Sequence, residues 1–285
     1  MVNTIINKLL KNMSESNRFL EQLYKREDAR VAEDSQGNLL HRRYAKQITV
    51  DYFLNQANVQ KQIEYYKSVL PESKNSKILD IGVGEGWFAA ICSHLGYQHI
   101  ELADYGCTSK FLDICNELNE IKSVHDVETE IHALINKNKF LSKFDFIHMS
   151  HVIEHIPKYD LIKTMDALNL ALSRNGMLFI RCPNMLGPLP MNSLYCTLGH
   201  EYGFIESNLT QLFRGTNFTN IRFYSFNDKP KSFKHILGAI LRKIYILNAK
   251  LKYRAFEGFT PTNLDQEIIA SAVKCKDEDR LNFSD

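Results

Sequence analysis

The chain has 285 residues, 44% of them hydrophobic and 24% charged, with a formal net charge of +2 at neutral pH. That length suits one α/β domain with accessory helices and excludes two full enzymatic domains. The charge balance excludes a general nucleic-acid binder, which presents a clearly basic face. The cysteines Cys92, Cys107, Cys115, Cys182, Cys196 and Cys275 form no Cys-x-x-Cys pair, which excludes a thiolate metal site of the usual spacing.

Residues 1–70 read as a helical cap. Ile5, Ile6, Leu9 and Leu10 recur at helical spacing, a polar break covers residues 32–38, and a second helical stretch runs from Tyr44 to Leu70. Met1 to Leu10 lacks the apolar core of a secretory signal, and no run of apolar residues is long enough to cross a bilayer. A cytoplasmic protein is the expectation.

The run Lys77 to Ile81 then reads as a buried strand, followed by Gly82, Gly84 and Gly86 and by a helical pattern of Phe88, Ala89, Ile91, Cys92 and Leu95. Glycines at such a corner allow positive φ and let the backbone approach a ligand. Further strands are expected at His99 to Asp104, near Lys122 to His125, at Phe144 to Met149 and at Gly176 to Arg181, with a helix over Lys158 to Ser173. Ile221 to Phe226 and Glu267 to Val273 supply two late strands. Strands alternating with helices imply a parallel, doubly wound sheet. This α/β domain is expected to span residues 71–276, with a helical insert over about 228–262 and a tail at 277–285.

Two acids flank the glycine turn. Asp80 stands two residues before Gly82, and Asp104 ends the next strand about 20 residues after the glycines, where ribose hydroxyls are held in such folds. An acid beside the turn would repel a pyrophosphate. It suits S-adenosylmethionine, which brings a sulfonium, an ammonium and a carboxylate. The chain resembles the class I S-adenosylmethionine-dependent methyltransferases through Leu79-Asp80-Ile81-Gly82-Val83-Gly84-Glu85-Gly86 and Asp104. It resembles one subgroup, the ubiquinone-type and bacterial surface-polysaccharide (sugar) O-methyltransferases, through Phe144-Asp145-Phe146-Ile147 and His151-Val152-Ile153-Glu154-His155-Ile156-Pro157. The resemblance implies a Rossmann-like, seven-stranded, mostly parallel sheet with one antiparallel edge strand and N-terminal helices over the cofactor; the helical insert before the last strand departs from a minimal domain of this kind. For S-adenosyl-L-methionine it points to Asp80, Gly82, Gly84 and Gly86 around the methionine part, Asp104 on the ribose, Asp126 near the adenine amine, and Met149 as a further cofactor contact.

Methyl transfer is an in-line displacement on an activated cofactor, so the protein aligns the partners, excludes water and takes a proton when the nucleophile is a hydroxyl. His151 is the first candidate base and His200 the second, since imidazoles titrate near neutrality. Arg181, Asn184 and Tyr195 are placed to meet an acceptor. His151, Glu154 and His155 stand at i, i+3, i+4 spacing and could ligate a divalent metal. Some ubiquinone-type relatives carry a Glu-x-x-Glu-His set for magnesium. Here His151 replaces the first glutamate and lowers affinity for a hard ion, so no metal is the leading expectation.

In the insert, Phe233, Leu237, Ile240, Ile244, Leu247 and Leu251 form a helical stripe, while Lys229, Lys231, Lys234, Arg242, Lys243, Lys250, Lys252 and Arg254 carry positive charge with no acid between them. Such a helix lies on an anionic membrane at its inner face or packs on protein, including a second copy of the chain. The expected function is an O-methyltransferase acting on a sugar hydroxyl in a bacterial polysaccharide or glycan pathway. The alternatives are a small aromatic or quinone-like hydroxyl acceptor, favoured if Tyr195, Tyr202 and Phe204 enclose a flat apolar pocket, and a non-catalytic methyltransferase-like scaffold.

Overall fold

The computed structural model describes residues 50, 54–55, 57–84, 86–104, 118–126, 140–225 and 233–275. The expectations for residues 1–49 and for the tail lie outside the described residues, and the elements of the fold belong to the unit from Leu54 onward.

Helix α1 (Ala57–Val69) presents Val59, Ile63, Tyr66 and Leu70 on one buried face, at the four- and three-residue steps that make a helix amphipathic. Strand β1 (Lys77–Ile81) follows, then α2 (Trp87–His94), β2 (His99–Asp104), β3 (Ile121–Asp126) and β4 (Phe144–Ser150). A short 3₁₀ turn (Ile153–His155) leads to α3 (Leu161–Ala171) and β5 (Leu172–Pro183). The loop after β5 holds a short helix α4 (Pro190–Tyr195) and ends in α5 (Glu206–Gly215). Strand β6 (Phe218–Tyr224), the long helix α6 (Phe233–Glu257) and β7 (Glu267–Lys274) complete the chain.

The sheet order is β3-β2-β1-β4-β5-β7-β6. The first five strands pair in parallel, as expected where the inner strands are buried on both faces. The reversed strand is β7, which pairs antiparallel with both β5 and β6. It therefore lies one place in from the edge, and β6 is the outermost strand, a refinement of the expected reversed edge. The core joins residues of β4, β5 and β7 to Met165 and Leu168 of α3 and Leu209 and Phe213 of α5. Asp145 closes the far end of the sheet: its carboxylate accepts from Lys77 N at 2.9 Å and from Ser173 Oγ at 2.7 Å. Chain order reverses between β1 and β4, so ligands are expected beyond the carboxyl ends of those two strands.

The bend after β1 depends on its glycines. Gly82 has φ 73 and Gly84 φ 55, values that other residues adopt at a cost. A Cβ on Gly82 would also collide with Val152 Cγ2, whereas one on Gly84 would meet open space. Gly82→Ala should lower stability by about 1–3 kcal/mol through this clash on top of backbone strain, and Gly84→Ala by about 1 kcal/mol of strain only. Thermal denaturation of the two variants checks this; equal losses would show that Val152 does not pack on the turn.

Candidate active site

The carboxyl ends of β1 and β4 frame a cavity of about 270 Å³ whose wall includes Gln62, Tyr66, Asp80, Gly84, Trp87 and His151. The glycine turn is fixed from below. Gly82 N–H donates to Ala103 O at 2.8 Å, and Gly84 N–H donates to Asp104 Oδ2 at 2.9 Å. Asp80 and Asp104 thus stand at the same end of two neighbouring strands, with the turn between them.

Asp80 is 1% exposed, and a carboxylate so deep needs partners. Its Oδ1 lies 2.7 Å from Nδ1 of His148, its cross-strand neighbour in the β1–β4 register. The His148 ring stacks on Phe88 at 3.8 Å between centroids, and its Nε2 lies 3.0 Å from Tyr66 Oη. Burial pushes the Tyr66 hydroxyl up to about 12, so it stays protonated. Tyr66 is in turn hydrogen-bonded to Arg181, whose Nη2 donates to Glu267 Oε2 at 2.7 Å. Glu267 Oε1 lies 3.1 Å from His151 Nε2, and His151 Nδ1 lies 3.2 Å from Glu154 Oε1. One connected set of side chains therefore runs from α1 and β1 through β4, β5 and β7 to the 3₁₀ turn.

His151 occupies an unusual place in that set. Its φ is 56, in the left-handed region, and its backbone N–H donates to Arg181 O at 2.9 Å. A non-glycine residue held there costs of order 1 kcal/mol or more and marks a position fixed by its surroundings. Hydrogen bonds to Glu154 and Glu267, working against burial, raise its pKa to about 9. Burial opposes ionisation of Glu267, yet hydrogen bonds from His151 and Arg181 hold it down at about 2. In this arrangement both imidazole nitrogens face carboxylates, which favours the protonated ring.

The remaining expected site residues divide between the cavity, the core and the loops. Met149 is wholly buried in the hydrophobic core, on the opposite face of β4 from His148 and Ser150, so its side chain does not line the cavity. This corrects its assignment to the cofactor, and follows from the two-residue period of a strand. Gly86, with φ 79, starts α2 and donates its N–H to Val83 O at 2.9 Å, closing the turn. The Asp126 backbone is paired in register with Asp104 at the end of β3; its side chain lies outside the described residues. Asn184 is 1% exposed, and its amide donates to Asp265 O at 2.9 Å, so it braces its loop rather than facing an acceptor. His151, Glu154 and His155 do not converge as a ligand set. His155 Nδ1 donates to Gly199 O at 3.0 Å, and its ring lies against His200, 4.7 Å between centroids. Phe204 is buried while Tyr195 is 71% exposed, so these aromatic residues enclose no flat pocket.

His148, Tyr66, Trp87, Gln62 and Glu267 belong to the site, yet no sequence pattern singles them out. The one available signal is a histidine inside an otherwise apolar strand; its pairing with Asp80 needs the strand register, which periodicity does not supply.

The model of the family described as "Methyltransferase domain" matches residues 51–222, more than half of the chain. The chain belongs to that family. Among curated proteins no sequence matches significantly. Among solved structures, a SAM dependent methyltransferase from Archaeoglobus fulgidus superposes on this methyltransferase with a TM-score of 0.52 at 17% identity, covering 76% of this chain and 94% of the other. The CurJ carbon methyltransferase gives 0.52 at 14% identity, over 81% of this chain and 60% of the other. A Thermotoga maritima protein described as a possible histamine N-methyltransferase gives 0.50 at 14%, over 82% and 95%. These likenesses establish the fold.

S-adenosylmethionine is the cofactor of this fold, and the residues present fit it. Asp80 lines the cavity, and its buried Oδ2 has no hydrogen-bond partner among the described residues, so the carboxylate keeps acceptor capacity and negative charge suited to a cationic ligand. Space for a Cβ at Gly84 leaves the backbone open to close approach. Asp80 and the glycine turn would hold the methionine part and Asp104 the ribose; the bound cofactor supplies an activated methyl.

The Asp80–His148 pair sets a test. His148→Ala leaves a buried carboxylate without its histidine and should cost about 3–5 kcal/mol. Urea unfolding measures the loss; a change below about 1 kcal/mol would contradict a paired, buried Asp80.

Proposed function

We propose that the protein transfers the methyl group of S-adenosylmethionine to a hydroxyl of a small polar acceptor, of the sugar or glycan class. The observation that carries this reading is the wall an acceptor would face. Ser150, His151 and Arg181 line the cavity beside Asp80, together with Tyr66, Trp87 and Phe88, and Tyr195, Tyr202 and Phe204, which would suit a flat aromatic ring, do not enclose it. A hydroxylated acceptor matches donors and acceptors that an apolar ring would leave unpaired. The acceptor hydroxyl takes the place of Glu267 at Nε2 of His151. Losing one of its two carboxylates lowers the affinity of the ring for its second proton, which leaves Nε2 for solvent before transfer, while Glu154 remains on Nδ1 to orient the neutral ring. His151 then accepts the hydroxyl proton as the methyl is transferred.

Mass spectrometry of nucleotide-sugars, glycans and phenols incubated with labelled cofactor tests the acceptor class. One added methyl on a sugar hydroxyl supports the reading; methylation of phenols only, or of nitrogen or carbon, overturns it. His151→Ala should lower turnover about 10²–10⁴-fold and leave cofactor affinity unchanged, and undiminished turnover would remove it as base.

Helix α6 bears on where the acceptor is met. Leu237, Ile240, Leu241, Ile244, Leu247 and Leu251 are each about half exposed or more, so no described part of the chain covers the stripe. The half-buried residues Ala239, Ile246, Ala249 and Tyr253 lie on the opposite side of the helix. Lys243, Lys250 and Arg254 flank the stripe on one side and Lys252 on the other, and no acid intervenes before Glu257. An apolar face bordered by cations complements an anionic bilayer surface, where it would place the cavity near lipid-linked acceptors. No described helix is long and apolar enough to cross a membrane. The protein should co-sediment with vesicles containing anionic lipid and less with zwitterionic ones, and Ile244→Glu should reduce this. Absence of binding, or a dimer in ultracentrifugation that Ile244→Glu dissociates, would assign the stripe to a second copy instead.

A further inference from the structure

The loop after β5 brings His200 to the 3₁₀ turn that carries Glu154 and His155. Glu201 N and Tyr202 N both donate to Glu154 O, at 2.8 and 3.3 Å, so the backbone itself binds the two segments. One ligating atom from each of Glu154, His155 and His200 lies within 4.8 Å of the other two. Both histidines are oriented from behind. His155 Nδ1 donates to Gly199 O at 3.0 Å, and His200 Nδ1 donates to Ser193 O at 2.7 Å. Donation from Nδ1 fixes the tautomer whose Nε2 carries the lone pair, the arrangement by which outer-shell carbonyls prepare histidine ligands. Glu154 is 2% exposed, and while its Oε1 meets His151, its Oε2 is buried with no partner among the described residues. A buried carboxylate oxygen left so is costly unless a cation or donor joins it.

We infer that Glu154, His155 and His200 form a binding site for a divalent cation of the zinc class. Two imidazoles and one carboxylate are a borderline donor set, preferred by zinc over magnesium, which wants oxygen ligands and retained waters. Ligands about 2.0–2.2 Å from zinc stand about 3.5 Å apart in a tetrahedron, so a modest side-chain closure completes the set and leaves one position open. His151 is not a ligand. It is held by the other oxygen of the same carboxylate, so the cation fixes the orientation of the residue that faces the cavity. His200 is thereby a ligand rather than the second base expected from the sequence.

The test is calorimetric titration of the chelator-stripped full chain with Zn²⁺ alone, with Co²⁺ visible absorption as a report of tetrahedral coordination. One Zn²⁺ should bind per chain, and His155→Ala and His200→Ala should each weaken it at least about tenfold, while His99→Ala, at the far end of the sheet, should not. Cofactor binding by the variants shows that they are folded, and separates failure of this site from failure of the methyltransferase reading. His200→Gln is a second, milder variant that should weaken Zn²⁺ as well. No binding, equal binding by all variants as for an adventitious ion, or tighter binding of Mg²⁺ than of Zn²⁺ would each overturn the site.

Discussion

A buried carboxylate at the end of the first central strand is the constraint around which the site is built. Asp80 cannot be left charged and unpaired at 1% exposure, and the sequence answers it with His148 on the neighbouring strand, Phe88 stacked over that ring and Tyr66 behind it. Each of these comes from a different element, so α1, α2, β1 and β4 are tied at one point. The set continues through Arg181 and Glu267 to His151 and Glu154. Breaking such a set at one member leaves several groups unsatisfied, which makes it rigid as well as costly. Asp80 itself lines the cavity where a cationic cofactor would bind.

The same logic explains why strain collects here. Three glycines after β1 adopt positive φ, and His151 after β4 does so without being glycine. Both bends stand at the carboxyl ends of adjacent strands, where the chain must leave the sheet and still present backbone and side chains to a ligand. The rest of the sheet meets the cost. Its inner strands β1, β2, β4 and β7 are buried on both faces, and the far end is closed by Asp145.

Much of this is legible in the sequence. The glycine spacing, the acid closing β2 and the alternation of apolar strands with helices point to the sheet, because each is a local pattern. The pairing of Asp80 with His148 is hidden, since it depends on the register between strands 68 residues apart. Met149 is misplaced for a related reason: adjacent residues in a strand face opposite ways, and residue type does not say which face meets the ligand. Glu267 lies 116 residues from His151, and no periodicity connects them. His200 reaches the 3₁₀ turn through a loop held by backbone hydrogen bonds, which leave no trace in residue type. The stripe of α6 is visible as a helical pattern, but only the fold shows that its apolar side is uncovered by the described residues.

The proposed methyl transfer would lay a sulfonium cofactor across the bend between Asp80 and Asp104. Calorimetric titration with S-adenosylhomocysteine measures this most directly, using the intact chain and Asp104→Ala. The intact protein should bind one ligand per chain saturably, and the variant should show a marked loss. Absence of binding by the intact protein, or equal affinity in the two, would contradict that placement.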